Sequence, residues 1–206
     1  MRSRLARSLA CALSILPLIW LSDSHCSPAS ANSLGVIRPH HSQEKTLGER
    51  VSLFDGRILF SPPAEFAQMT GELIAKKFPD YHLPGVAFTR ADTKVSVLIG
   101  FAEERSLRPE QLPKFQEFMI SSLEGAMPGF RLLTKDFVEI DGRSWIHLEY
   151  LSRREGNSEV HNDIYATSLE NRILLFNFNS VTSEYEKSKV ALQRSKDSIV
   201  VKAIVE

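Results

Sequence analysis

The chain has 206 residues, with 25 basic and 25 acidic side chains and so no net charge. Without a basic surplus nothing draws in a phosphate backbone, and nucleic-acid binding is not expected. Cys11 and Cys26 both precede Ala31; once a leader ending there is removed, no disulfide, thiolate metal site or cysteine nucleophile can form.

Arg2, Arg4 and Arg7 form a basic start. Leu9 to Leu21 is an apolar run broken by Ser14 and Pro17, and Ala29-Ser30-Ala31 is a small-x-small site. That order is an export signal, with cleavage expected between Ala31 and Asn32. The apolar run is shorter than the roughly 20 residues a spanning helix needs, and no second run follows, so no membrane span is expected. Cys26 follows His25, with Asp23 three positions back. A lipid-bearing cysteine normally has a small residue and an apolar one there. The arginines are never adjacent, which argues against twin-arginine export. The mature chain is therefore expected to be exported and soluble, in a periplasm or in the medium. The leader holds three arginines and one aspartate, leaving 22 basic and 24 acidic residues from Asn32 onward.

Residues 32–48 are polar and lack a period, and read as a mobile lead-in; its adjacent His40 and His41 are expected to do nothing. Residues 49–206 are long enough for one domain with a sizeable core. Arg50 to Phe60 reads as two strands around Asp55-Gly56, a favoured hairpin turn. Ser61-Pro62-Pro63 ends the second strand. Phe66, Met69, Leu73, Ile74 and Lys77 then follow helical spacing, which predicts a helix after the prolines. Gly85 to Phe101 reads as two strands, the second covered on both faces. A second helix is predicted from Pro109–Pro113 to Glu124, burying Leu112, Phe115, Phe118, Met119 and Leu123. Phe130–Ile140 and Arg143–Ser152 form a hairpin across Asp141-Gly142. Glu159–Ser168 and Arg172–Val181 continue the meander. Ser183 with Glu186 reads as a capping box that starts the last helix near Glu184. Its stripe is Tyr185, Leu192 and Ile199, and the apolar end, Ile199 to Val205, is expected to pack back on the sheet. The class is α+β: an antiparallel sheet with helices on both faces.

This order, with Phe60-Ser61-Pro62-Pro63 and with Val138-Glu139-Ile140-Asp141-Gly142 followed by Ile146 to Leu151, resembles the PsbP-like fold. That superfamily includes the extrinsic PsbP subunit of photosystem II, a eukaryotic Ran-binding import factor and many exported bacterial proteins. The resemblance covers about Val51 to Val201 as a pattern. It implies an α-β-α sandwich and a non-enzymatic accessory or binding role, and it carries over no site residues.

No Gly-x-Ser-x-Gly elbow, His-Glu-x-x-His motif, phosphate-cradling loop or EF-hand loop is present, so no catalytic residue and no cofactor are expected. One constellation stands out. Alternation along the meander places Trp145, His147 and Glu149 on one strand face and His161, Asp163 and Tyr165 on the next. With the intervening turn centred on Gly156, Glu149 faces Asp163 and His147 faces Tyr165. Two imidazoles and two carboxylates on one face are candidates for a divalent ion or for acid–base work. Cross-strand polar pairing is the preferred reading. The leading expectation is an exported accessory protein that recognises a protein partner in the envelope. The alternative is a metal- or small-molecule-binding protein using His147, Glu149, His161 and Asp163.

Overall fold

The computed structural model describes residues 46–77, 85–153 and 158–202. The expected leader, its cleavage site, most of the lead-in and the turn at Glu155-Gly156-Asn157 lie outside the described residues. No helix among the described residues is long and apolar enough to cross a membrane.

The architecture is mostly antiparallel sheet with a few helices, as the α+β class predicts. β1 (Val51–Leu53) and β2 (Ile58–Phe60) form a hairpin. Its turn takes Phe54, Asp55 and Gly56 through φ of 51°, 58° and 84°, which aspartate tolerates and glycine favours. β10 (Val200–Val201) pairs with β2, so the chain's apolar end closes this small sheet. A seven-stranded sheet is built from β3 (Phe66–Gln68), β4 (Val86–Arg90), β5 (Val95–Ser106), β6 (Arg131–Ile140), β7 (Arg143–Arg153), β8 (Glu159–Leu169) and β9 (Arg172–Val181), in the order β3-β4-β5-β9-β8-β7-β6. The β6–β7 turn places Asp141 and Gly142 at φ of 51° and 70°, and the β8–β9 turn places Glu170 and Asn171 at 51° and 57°. These are tight turns whose twist matches that of the flanking strands.

The even-numbered core positions of β7, Ile146, Leu148 and Tyr150, are buried with Leu112, Phe115, Met119 and Leu123 of α2 (Leu112–Ala126). A short 3₁₀ turn, Pro109–Gln111, leads into α2. Phe118, expected on the buried stripe, is only partly buried, and Gln116 takes a buried position instead, its amide donating to the Asp136 carbonyl at 2.8 Å. The odd-numbered positions face α3 (Thr182–Asp197) and the small sheet. There Trp145, Phe176, Phe178, Phe60 and Leu192 share one core. The Trp145 indole donates to the Ile140 carbonyl at 3.2 Å. β5 is buried on both faces from Val95 to Ile99, as expected from Leu98 standing among the alternating Val95, Val97 and Ile99.

Three local expectations are corrected. The helix predicted directly after Pro62-Pro63 is split. Phe66–Gln68 pairs with Phe88–Arg90 of β4, and the helix, α1 (Gly71–Lys77), starts after Thr70. The Thr70 hydroxyl accepts from the Leu73 amide at 3.2 Å, which is an N-cap bond. Met69 and Ile74 are still buried, against Ala87 and Leu98. The Ser183–Glu186 capping box does not form. β9 runs straight into α3, Val181 stands at its N-cap position with no side-chain cap, and Glu184 reaches across to Arg90 at 2.7 Å. Finally, residues 46–48 of the expected lead-in are tied to the domain, with Leu47 bridged to Pro63 and the Gly48 amide donating to the Pro62 carbonyl at 2.7 Å.

Candidate functional site: a histidine–carboxylate face under the last helix

The register predicted from a turn at Gly156 is the register observed: His147 pairs with Tyr165 and Glu149 with Asp163. His147, Glu149, His161 and Asp163 therefore share the sheet face that α3 covers. They do not converge on one point. They form two hydrogen-bonded units, each extended by a residue from β6.

In the first unit, both ring nitrogens of His147 meet carboxylates. Nδ1 lies 2.7 Å from Asp136 Oδ1 and Nε2 lies 2.7 Å from Asp163 Oδ1. A carboxylate oxygen accepts, so both nitrogens must donate, and only the imidazolium can do that. Burial opposes the charged ring, but the Asp163 and Asp136 hydrogen bonds and charges outweigh it and raise the His147 pKa above its usual value. The Tyr165 ring stacks on the imidazole at 4.7 Å and 4°, and its hydroxyl donates to Asp163 Oδ2 at 3.1 Å. Burial, and then the neighbouring Asp163 charge, push the Tyr165 phenol upward. It stays a donor and cannot act as a base.

In the second unit, His161 Nε2 donates to Glu149 Oε1 at 2.7 Å, and Thr134 Oγ1 donates to Glu149 Oε2 at 3.0 Å. Tyr185 of α3 stacks on His161 at 3.5 Å and 10°, and its hydroxyl donates to Glu149 Oε1 at 3.3 Å. Burial raises the Glu149 pKa, but the bonds from Thr134, His161 and Tyr185 prevail and hold it below the usual glutamate value. Both Glu149 oxygens are thus occupied by donors. The aromatic contact also fixes the first turns of α3 against β8.

A metal ion needs imidazole lone pairs and open carboxylate oxygens. In this arrangement, protons occupy both ring nitrogens of His147 and Nε2 of His161, and donors occupy both Glu149 oxygens. Among the described residues no group of three or more histidine, cysteine or acidic side chains is placed to hold a metal ion. Acid–base work needs a group able to give or take a proton at an accessible point. His147 has 14% of its side chain exposed, and both its protons are held by aspartates. The arrangement can do one thing well: bind β6, β7, β8 and α3 together by charge-assisted hydrogen bonds and stacked rings.

The sequence reading missed Thr134, Asp136 and the role of Tyr185. The signal for the first two was present. A turn at Asp141-Gly142 sets Asp136 opposite His147 and Thr134 opposite Glu149, as observed. Tyr185 carried no comparable signal, because sequence does not say which face a helix covers.

No protein-family model matches the chain, and no curated protein matches it. Solved structures do. Cyanobacterial PsbP (CyanoP) of Synechocystis is similar at 15% identity, over 84% of this chain and 98% of that one, with a TM-score of 0.50. LpqN of Mycobacterium tuberculosis is similar at 13% identity, over 75% of this chain and 90% of that one, with a TM-score of 0.51. The Ran-binding protein Mog1p of Saccharomyces cerevisiae is similar at 14% identity, over 74% of this chain and 94% of that one, with a TM-score of 0.49. At such identities the likeness is one of fold: the chain has a PsbP-like fold.

Proposed function

We propose that this is an exported, soluble accessory or binding protein without catalytic activity, acting by surface recognition of a protein partner in the envelope or outside the cell. The leader pattern motivates the location. The solved LpqN is described as involved in cell envelope biogenesis, which agrees with that setting. Helices packed against opposite faces of the sheet, α2 on the even positions of β7 and α3 on the odd, support the α-β-α sandwich.

The observation that carries the reading is β6. This ten-residue strand is the last in the seven-stranded order. It exposes Leu133 at 45% and Phe137 at 42%. An outer strand with spare apolar side chains is a natural place for an extended partner segment to add. Crosslinked pull-downs from native cells test this. The expected result is an envelope component captured by the wild type and lost with Leu133→Glu at an unchanged melting temperature. Capture of no envelope component, or capture indifferent to Leu133, counts against it.

A second reading, divalent-metal or small-molecule binding by His147, Glu149, His161 and Asp163, has the shared face in its favour. It requires a metal to displace a proton from the His147 ring and a donor from Glu149. A Zn²⁺-dependent rise in melting temperature that His147→Ala abolishes would establish it.

A further inference from the structure

The free edge of β6 can be read residue by residue. The two-residue turn at Asp141-Gly142 leaves Ile140 and Arg143 paired on either side of it. Residues flanking such a turn exchange hydrogen bonds, and hydrogen-bonded and non-hydrogen-bonded pairs alternate from there along an antiparallel ladder. Thr134, Asp136, Val138 and Ile140 therefore spend their backbone groups on β7. The N–H and C=O of Lys135, Phe137 and Glu139 point outward, and no backbone group among the described residues takes them. Gln116 reaches β6 at the Asp136 carbonyl, which belongs to the inward set. The ladder is regular from Thr134 to Ile140, its irregularity lying between Leu132 and Thr134.

The same three outward residues stand opposite Leu148, Ile146 and Ser144, on the sheet face that α2 covers. Phe137 is 42% exposed and belongs to none of the hydrophobic clusters. Its ring is apolar surface that the fold itself does not use. Lys135 and Glu139 are exposed on either side of it. Lys135 holds Glu117 at 2.8 Å, and Glu139 makes no hydrogen bond or ion pair among the described residues.

This segment is complementary to itself. An antiparallel copy turned about a two-fold axis at Phe137 sets each Lys135 opposite the other copy's Glu139, and the two Phe137 rings opposite each other. Each outward residue then meets another outward residue, so the free backbone groups satisfy one another. Axes at Lys135 or Asp136 set like charges opposite each other, which is unfavourable, and an axis at Val138 sets Phe137 against Glu139.

We propose that β6 pairs with β6 of a second copy of this chain in that register, an isologous contact that joins the two seven-stranded sheets. The inference rests on the same reading of β6 as an open pairing edge that carries the partner proposal; here the occupant is a second copy.

The test is analytical ultracentrifugation of the exported protein over a range of concentrations. The wild type is expected to show a reversible monomer–dimer equilibrium. Lys135→Glu alone and Glu139→Lys alone should each weaken the dimer tenfold or more, because two attractive pairs become two repulsive ones. An equimolar mixture of these two variants should dimerise as the wild type does, since each chain then meets opposite charges. Phe137→Asp should leave only monomer at an unchanged melting temperature. A wild type that is monomeric at every concentration, a dimer indifferent to these changes, or a mixture no tighter than its components would each overturn the proposal. A monomer that still captures an envelope component through Leu133 would overturn it and leave the partner reading standing; a dimer that captures nothing would do the reverse.

Discussion

Replacing Phe60 by alanine is expected to destabilise the fold by about 3–5 kcal/mol, the range for deleting a buried aromatic ring. Phe60 is fully buried on β2, and its ring lies 5.7 Å from Phe88, 5.6 Å from Phe176 and 6.5 Å from Phe178. With Leu53, Ile58 and Val201 it packs the three-stranded sheet on the seven-stranded one. β2 is also the middle strand of its sheet, so β1 and β10 lose their seat with it. A cavity there has rigid strands on both sides and little means of collapsing. Domain stabilities are roughly 5–15 kcal/mol, so the loss is a large share of the total. Urea denaturation should show a lower midpoint at an unchanged slope. Val190, 59% exposed on α3, is the control: Val190→Ala should move stability by no more than about 0.5 kcal/mol. Equal effects at the two positions would mean that the two sheets are not packed as described.

The second large effect is expected at His147. His147→Ala removes two hydrogen bonds to carboxylates, each worth about 1.5–3 kcal/mol when buried. It also leaves Asp163, 20% exposed, without its cation. Asp136 is half exposed and its share is discounted for solvent screening. A net loss of about 2–3 kcal/mol follows. The pH dependence gives the effect its signature. The folded-state pKa of His147 is raised, so its contribution is fully present below the unfolded value of roughly 6.5. It is lost as pH rises through the higher folded value. The stability gap between wild type and His147→Ala should therefore narrow on going alkaline. A gap that widens instead would place a neutral ring in the folded protein. Glu149 has the opposite sign. Its pKa is lowered, so its contribution holds above the unfolded value and fades as pH falls.

The meander was legible in sequence because its turns were. Asp141-Gly142 fixes the β6–β7 register, and a turn centred on Gly156 predicted the β7–β8 register. A two-residue side-chain period then assigns every side chain to a face. What period and register cannot supply is reach. They place His147 and His161 on one face, but not the two separate carboxylate units. Nor do they show that Tyr185 arrives from α3 to stack on His161. The first helix misled for a related reason. Phe66, Met69, Leu73 and Ile74 fit helical spacing, yet a three-residue strand is too short to show its own period. The better signal was Thr70, a capping residue in front of Gly71-Glu72-Leu73. The Ser183–Glu186 box failed because β9 delivers the chain to α3 without a loop in which a cap could form. The pairing of β10 with β2 joins distant parts of the domain: the apolar run from Ile199 signalled packing on a sheet, but no local pattern names the partner strand.

The histidine–carboxylate face is a charged structural clasp, with an imidazolium at His147 held between Asp136 and Asp163. Long-range ¹⁵N–¹H NMR of the histidine rings, followed through a pH titration, tests it most directly. Nδ1 and Nε2 of His147 should both carry protons at neutral pH and lose one at a pH above the ordinary histidine value. A single-proton tautomer of His147 at neutral pH, titrating at or below that value, would contradict it.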